Sequence, residues 1–282
     1  MEQKFGIVRC SNPLLPEVRS EIDRLCKVLS NDGAEPVMAK YLYADEDAYT
    51  PGWVRAQELM KLYTTAGIGD IYDISGGDMG NDVLDFLGYE KIAASGATFW
   101  GYSDLTTVIN AIYAKTGKVS HLFQIRNIVR DATGDRLRDF ENYRRNGDDS
   151  LFRFDYQFLR GESVEGIMLG GNIRCLLKLA GTDFFPDMEG RILFLEALSG
   201  EHPQMSAQFG QLRQLGVFAQ VKAVVLGTFY KMEETGAIPT VEQIALQYIP
   251  EHIPVIKTRQ VGHAKTSKAV VIGGHYTFTK QA

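Results

Sequence analysis

The residues of this 282-residue chain that could do covalent chemistry gather first at one turn, Gly101-Tyr102-Ser103-Asp104. An apolar run, Phe99-Trp100-Gly101-Tyr102, ends there, and a helical pattern follows with Leu105, Val108, Ile109 and Ile112 on its apolar face. A strand that turns abruptly into a helix exposes the turn's side chain at the C-terminal edge of a sheet, where open α/β folds bind ligands. The helix also aims its unpaired N–H groups and the positive end of its dipole back at the turn, which favours an oxyanion. Ser103 is therefore a candidate nucleophile. On the turn alone, the reading in which Ser103 or Asp104 merely caps the helix stands level with it. The Gly-x-Ser-x-Gly elbow of α/β hydrolases is absent, because Leu105 stands two residues after the serine.

A serine hydroxyl needs a base to take its proton, and the base needs an orienting group. Among five histidines, His263 in Val261-Gly262-His263-Ala264-Lys265 is preferred to His121, because a glycine-flanked loop at a strand end can present a side chain. Glu196 is the candidate acid. It closes the apolar run Ile192-Leu193-Phe194-Leu195, where a carboxylate is costly without a partner; a strand-edge glutamate facing water is the alternative. The chain order serine, acid, histidine is one of the known triad orders. The turn Ser75-Gly76-Gly77-Asp78 follows another strand. Its glycines either offer N–H groups to an anionic oxygen or form a plain tight turn. Neither phosphate-loop pattern is present. No metal site is expected: the histidines lack His-x-x-x-His spacing, and the carboxylates around Asp45–Asp47 have no complementary ligand pattern. Cys10, Cys26 and Cys175 are too few and scattered for a disulfide framework.

The elements that must position these residues alternate. Strand patterns at Phe5–Val8, Pro36–Leu42, Ile71–Ser75 and Thr98–Tyr102 are separated by helical spacing over Pro16–Asn31, Trp53–Gly67 and around Val83, Leu84 and Leu87. That predicts an α/β fold with a parallel sheet and helices on both faces. From Ile128 to Glu165 the pattern breaks. Arg136, Arg138, Arg144 and Arg145 are interleaved with acids there, which reads as a solvated mixed-charge excursion. Past Gly166, strand patterns return at Gly166–Leu169, Arg191–Leu198, Val221–Leu226, Val255–Val261 and Ala269–Phe278, with helical segments near Ile173–Ala180, Met205–Leu215 and Val241–Tyr248. The expected division is an N-terminal α/β domain over residues 1–128, a linker over 129–165 and a C-terminal domain over 166–282. A formal net charge of −5 argues against a nucleic-acid polymer as partner. No apolar run approaches the roughly 20 residues needed to span a bilayer, and the N-terminal residues lead into a strand rather than a signal peptide, so a cytoplasmic protein is expected.

Together these motifs carry a resemblance. Ile74-Ser75-Gly76-Gly77-Asp78 with Asn81, Gly101-Tyr102-Ser103-Asp104-Leu105-Thr106, Tyr113-Ala114-Lys115-Thr116-Gly117, Gly170-Gly171-Asn172, Gly181-Thr182 with Phe185-Pro186, Ile192 to Glu196 and Gly262-His263, with the Arg55-Ala56 helix, resemble the LD-carboxypeptidase family of serine peptidases, which includes the microcin immunity peptidases. The resemblance implies Ser103 as nucleophile, Glu196 as acid and His263 as base, with an oxyanion hole from backbone N–H groups of Gly76, Gly77 and Asp104. It implies a flavodoxin- or Rossmann-like N-terminal domain, a smaller β-rich α/β C-terminal domain, an active site between them, a homodimer and no cofactor. The implied substrate is a murein-derived L,D-peptide met during wall recycling. A peptidyl- or aminoacyl-nucleotide antibiotic is the alternative, and base stacking on Trp53 or Trp100 would favour it; a non-catalytic binding homologue is a third reading. Three family features are missing. His121-Leu122-Phe123-Gln124 replaces a Gly-Pro pair, Met205-Ser206-Ala207-Gln208 lacks an arginine, and no proline stands near Val271-Ile272.

Overall fold

The computed structural model describes residues 3–45 and 49–280, so Glu46 and Asp47 of the acidic run lie outside the described residues. Among the described residues, twelve strands follow in chain order: β1 (Lys4–Val8), β2 (Glu35–Met38), β3 (Ile68–Asp73), β4 (Thr98–Gly101), β5 (Ser120–Leu122), β6 (Gln157–Arg160), β7 (Ser163–Asn172), β8 (Ile192–Ala197), β9 (Ala223–Phe229), β10 (Val255–Lys257), β11 (Val270–Ile272) and β12 (His275–Thr279). They form two six-stranded sheets, ordered β11-β5-β4-β3-β1-β2 and β12-β7-β8-β9-β10-β6. Neighbours are parallel in the middle of each sheet, while β11, β12 and β6 pair antiparallel at the edges. The central strands are buried throughout, as β8 and β9 are, so they read in sequence as unbroken apolar runs rather than alternations. This is the α/β class that the alternating pattern predicts.

Two expectations are corrected. The single strand expected over Ala269–Phe278 breaks at Gly273-Gly274, and its halves serve different sheets: β11 pairs with β5 and β12 with β7. The end of the chain thereby stitches the two sheets together. The stretch expected to be a solvated excursion contains a helix, Asp135–Asn146, that covers one face of the first sheet. Its Phe140 is buried, with ring centroids 5.8 Å from Trp100 and 6.2 Å from Tyr72. Arg136 is buried too, and its Nη2 lies 2.8 Å from the buried Asp139 Oδ2; only Arg138 and Arg145 point largely into water. Leu137, Phe140 and Tyr143 are the helix's only apolar residues and the other nine are polar or charged, so the period is too weak to read from sequence.

The helix Thr106–Thr116, which follows Ser103, joins the two sheets. Thr106 and Asn110, four residues apart, share one face of it. The Asn110 side chain donates to Gly170 O at 2.9 Å and accepts from Gly170 N at 3.0 Å, while Thr106 Oγ1 accepts from Asn172 N at 3.0 Å. The C-terminal end of β7 is thus fixed against the start of the helix. Asn110→Ala should strand both backbone groups of Gly170, each buried polar group costing about 1–3 kcal/mol, so chemical denaturation should show a loss of about 2 kcal/mol or more. An unchanged midpoint would mean that this contact does not hold the sheets together.

Candidate active site

Parallel pairing brings the ends of β1, β3 and β4 to one edge, so the loops after them meet there. Asp73 ties two of these loops together. Its carboxylate accepts from Cys10 N at 2.7 Å, Ser75 N at 2.8 Å and Ser75 Oγ at 2.6 Å. Burial holds this carboxyl above its usual range despite those donors. The loop beyond is pinned by Asn12, whose N–H donates to Gly76 O at 3.2 Å and whose Oδ1 accepts from Asp78 N at 2.9 Å. The peptide between Gly76 and Gly77 is planar and trans, so a carbonyl turned toward Asn12 turns the Gly77 N–H the opposite way. Gly77 has φ +126°, and a Cβ there would fall 2.2 Å from Asn12, so only glycine fits.

After β4, Tyr102 is extended and Ser103 turns to φ +57°, the left-handed region, where a serine is strained by roughly 1–2 kcal/mol. No other non-glycine residue among the described residues has positive φ. The strain is held in place by the next residue. Asp104 is fully buried; its Oδ2 accepts from Ser11 Oγ and Gly80 N, both at 2.6 Å, and its Oδ1 from Lys178 Nζ at 2.5 Å. The resemblance implies a role for the Asp104 backbone amide, and the structure adds one for its carboxylate: it anchors the turn to the loops after β1 and β3 and to the second half of the chain.

The second sheet supplies the other two candidates. Glu196 stands at a register shift between β8 and β9, opposite Asn172 of β7. Such a bulge re-aims a side chain, and Glu196 is fully buried rather than facing water. Its Oε1 accepts from Asn172 Nδ2 at 3.1 Å; its Oε2 accepts from the Tyr102 hydroxyl at 3.1 Å and lies 2.6 Å from His263 Nδ1. A carboxylate can only accept, so the network assigns the imidazole proton to Nδ1 and leaves a lone pair on Nε2. That nitrogen is screened from solvent and has no partner among the described residues. Burial first, and then the Glu196 charge, push the Tyr102 phenol well above its ordinary pKa, so it stays a donor.

His263 sits in a loop beyond β10 rather than at a strand end as expected, but the loop is tightly held. Thr228 N donates to Val261 O at 2.8 Å, and Asn127 Nδ2 donates to Ala264 O at 3.3 Å, so both halves of the chain grip it. A Cβ on Gly262 would overlap Thr228 Oγ1, which is why glycine precedes this histidine. Ser103 opens into a cleft of about 150 Å³ lined also by Gly77, Asp78, Asn172, Arg174, Ala197, Leu198 and Ser199. The neighbours of Glu196 and of the Gly77 amide thus line one cleft with the serine.

Family models of the LD-carboxypeptidase N-terminal and C-terminal domains match residues 5–122 and 165–278. The chain belongs to the LD-carboxypeptidase family. LD-carboxypeptidases are serine peptidases, and this one is 24% identical over 304 aligned residues to the microcin C7 self-immunity protein MccF of Escherichia coli, covering 95% of this chain and 88% of that protein. The fold is shared with MccF bound to glutamyl sulfamoyl guanosine, at a TM-score of 0.83 and 21% identity over 99% of this chain and 96% of that one. It is shared also with a muramoyltetrapeptide carboxypeptidase from Oxalobacter formigenes, at a TM-score of 0.81 and 24% identity over 99% and 96%.

Two side chains weighed from sequence stand elsewhere in this LD-carboxypeptidase. His121 is a core residue of β5: its ring packs edge-on against Trp100 with centroids 4.0 Å apart, and burial pushes its pKa down to about 3, so it is neutral. Trp100 is itself fully buried and cannot stack on a ligand, whereas Trp53 is half exposed at the start of the helix Gly52–Thr64. Conversely, Tyr102, Asn172 and the Asp104 carboxylate received no role from sequence. The signal for them was adjacency: two flank Ser103, and Asn172 follows a Gly-Gly pair.

Strain at Ser103 has a measurable consequence. Ser103→Gly and Ser103→Ala both remove the hydroxyl, but only glycine relaxes the left-handed backbone. Thermal or chemical denaturation should find the glycine variant about 0.5–1 kcal/mol more stable than the alanine variant, after allowing for glycine's greater chain entropy. An alanine variant as stable as the glycine variant would show that the turn stores no strain.

Proposed function

We propose that Ser103, His263 and Glu196 act as the catalytic triad of a serine carboxypeptidase that releases the terminal D-residue of a murein-derived L,D-peptide. The observation that carries this reading is the buried contact of 2.6 Å between Glu196 Oε2 and His263 Nδ1, capped by the residue next to Ser103. Ser103 Oγ attacks the scissile carbonyl as His263 Nε2 takes its proton. Glu196 holds the imidazole in the correct tautomer and stabilises the imidazolium. The amides of Gly77 and Asp104 receive the tetrahedral oxyanion. Supporting the first, Gly77 N–H is turned away from Asn12; supporting the second, Asp104 lies in the short turn Ser103–Leu105 that leads into a helix. Collapse breaks the C–N bond, His263 returns the proton to the leaving amine, and water then hydrolyses the acyl-enzyme by the same relay. No resident cofactor enters these steps.

A second reading is favoured by one observation. MccF, the similar immunity protein, is seen with glutamyl sulfamoyl guanosine and aspartyl sulfamoyl adenosine, so an aminoacyl-nucleotide is the alternative substrate. The same attack on an acyl carbonyl serves both. In either case the reading includes a homodimer acting in the cytoplasm on small molecules rather than on nucleic-acid polymers. The charge of −5 supports the last of these, and no helix among the described residues is long and apolar enough to cross a membrane.

Chromatography of reaction mixtures tests the proposal. Wild-type protein should convert murein tetrapeptide to tripeptide and a free D-amino acid, and Ser103→Ala should lower kcat by about 10³-fold or more with the fold intact. Activity undiminished in Ser103→Ala would reject the serine mechanism. Cleavage of an aminoacyl-nucleotide conjugate but not of the tetrapeptide would select the second reading.

A further inference from the structure

The cleft that holds Ser103 contains one cationic side chain among its lining residues, Arg174. Arg174 lies two residues past Asn172, in the short helix Ile173–Leu177. It is half exposed, and two of its groups are engaged: Nη1 donates to Asp78 Oδ1, and Nη2 donates to Gly77 O at 2.9 Å. A guanidinium carries five N–H donors in a planar fork, so these contacts orient it without exhausting it. The Asp78 carboxylate lines the same cleft but lies mostly in water, where such a pair is worth little, so an incoming anion can compete with it for the guanidinium. Lys178, the neighbouring cation, is committed elsewhere: its Nζ donates to the buried Asp104 Oδ1 at 2.5 Å and to Asp78 O at 2.8 Å.

Three features therefore coincide. The arginine is bonded to Gly77, the residue whose amide faces the expected oxyanion. It shares a cleft with the nucleophile. The cleft, at about 150 Å³, is smaller than the roughly 300–1,000 Å³ of pockets that enclose whole drug-sized ligands, and so suits one terminal group.

We infer that Arg174 is a specificity-determining residue that receives an anion carried by the leaving group close to the scissile nitrogen. The inference rests on the proposed hydrolytic site and adds to it the chemistry that the site reads. In a peptide the anion is the free α-carboxylate of the terminal residue. In an aminoacyl phosphoramidate nucleotide it is the phosphoryl group attached to the scissile nitrogen. Both are flat or forked arrays of oxygens that a guanidinium meets with paired hydrogen bonds. A site built this way takes terminal residues and rejects internal or amidated ones, because a neutral carboxamide leaves the cation without its partner.

The test is binding to the Ser103→Ala protein, which separates recognition from turnover. Calorimetry compares a murein tetrapeptide with a free C-terminal carboxylate, the same peptide as its C-terminal amide, and an aminoacyl phosphoramidate nucleotide. The free acid or the phosphoramidate should bind at least ten-fold more tightly than the amide. Adding Arg174→Gln should shrink that preference to within about three-fold, while Arg174→Lys should keep part of it. The anion whose affinity falls with Arg174→Gln identifies the source. Equal or undetectable binding of all three ligands to Ser103→Ala would overturn the inference, as would an equal loss for acid and amide on Arg174→Gln at an unchanged melting temperature. Failure of the hydrolytic reading looks different: it is turnover that survives Ser103→Ala, or none by the wild type.

Discussion

A fully buried carboxylate at Glu196 is the constraint on which the site depends. Removing an ionised carboxylate from water costs several kcal/mol unless hydrogen bonds replace the lost hydration. Here three donors converge on it: Asn172 from the neighbouring strand, His263 from a distant loop and Tyr102 from the first sheet. None of the three suffices alone, and they come from three separate stretches of chain. The carboxylate is therefore tolerable only when both sheets are in place, and the packing that buries it also fixes the imidazole beside the serine turn. Asn172 is oriented by its second task. Its Oδ1 accepts from Cys175 N at 3.3 Å, capping the short helix, so its NH₂ must face the acid.

The same logic extends outward. Ser103 keeps a backbone conformation that serine resists because Asp104, one residue on, is locked by Ser11, Gly80 and Lys178. The helix after it is fixed to β7 through Asn110 and Thr106, which places Asn172, and with it Glu196, at a set distance from the Ser103 turn. The loop of Gly76 and Gly77 is held from both sides, by Asn12 and by Arg174. Polar contacts between the sheets thus do more than close the molecule; those made by Asp104, Thr106, Asn127 and Arg174 each involve a residue at or within two positions of a candidate catalytic group.

Much of this was legible in the sequence, for identifiable reasons. The central strands are buried on both faces, so they appear as apolar runs, and helices between them show their period plainly. Ser103, Glu196 and His263 stood out because each combines a chemically capable side chain with a turn, a strand end or a glycine. Legibility failed where long-range pairing overrides local pattern. The three-residue β5 holds a histidine and gives no strand signal, and β11 and β12 look like one strand because only Gly273-Gly274 divides them. The helix Asp135–Asn146 looked like a solvated linker since only Leu137, Phe140 and Tyr143 interrupt its polar residues, and the buried pair of Arg136 and Asp139 reads in sequence as surface charge. Tyr102, Asn172 and Arg174 could not be given roles from sequence, because their importance lies in what the other sheet brings to them.

The central claim is that a buried Glu196 poises His263 to take the proton of Ser103. An organic fluorophosphonate tests it most directly, since Ser103 Oγ would displace fluoride from phosphorus only as His263 accepts the hydroxyl proton. Peptide-mapping mass spectrometry of the labelled wild-type protein should find one phosphonylated residue, Ser103, formed about 10²-fold or more faster than in Glu196→Gln and undetectable in His263→Ala. Labelling of Ser103 at the same rate in His263→Ala, or modification of a different serine, would contradict the account.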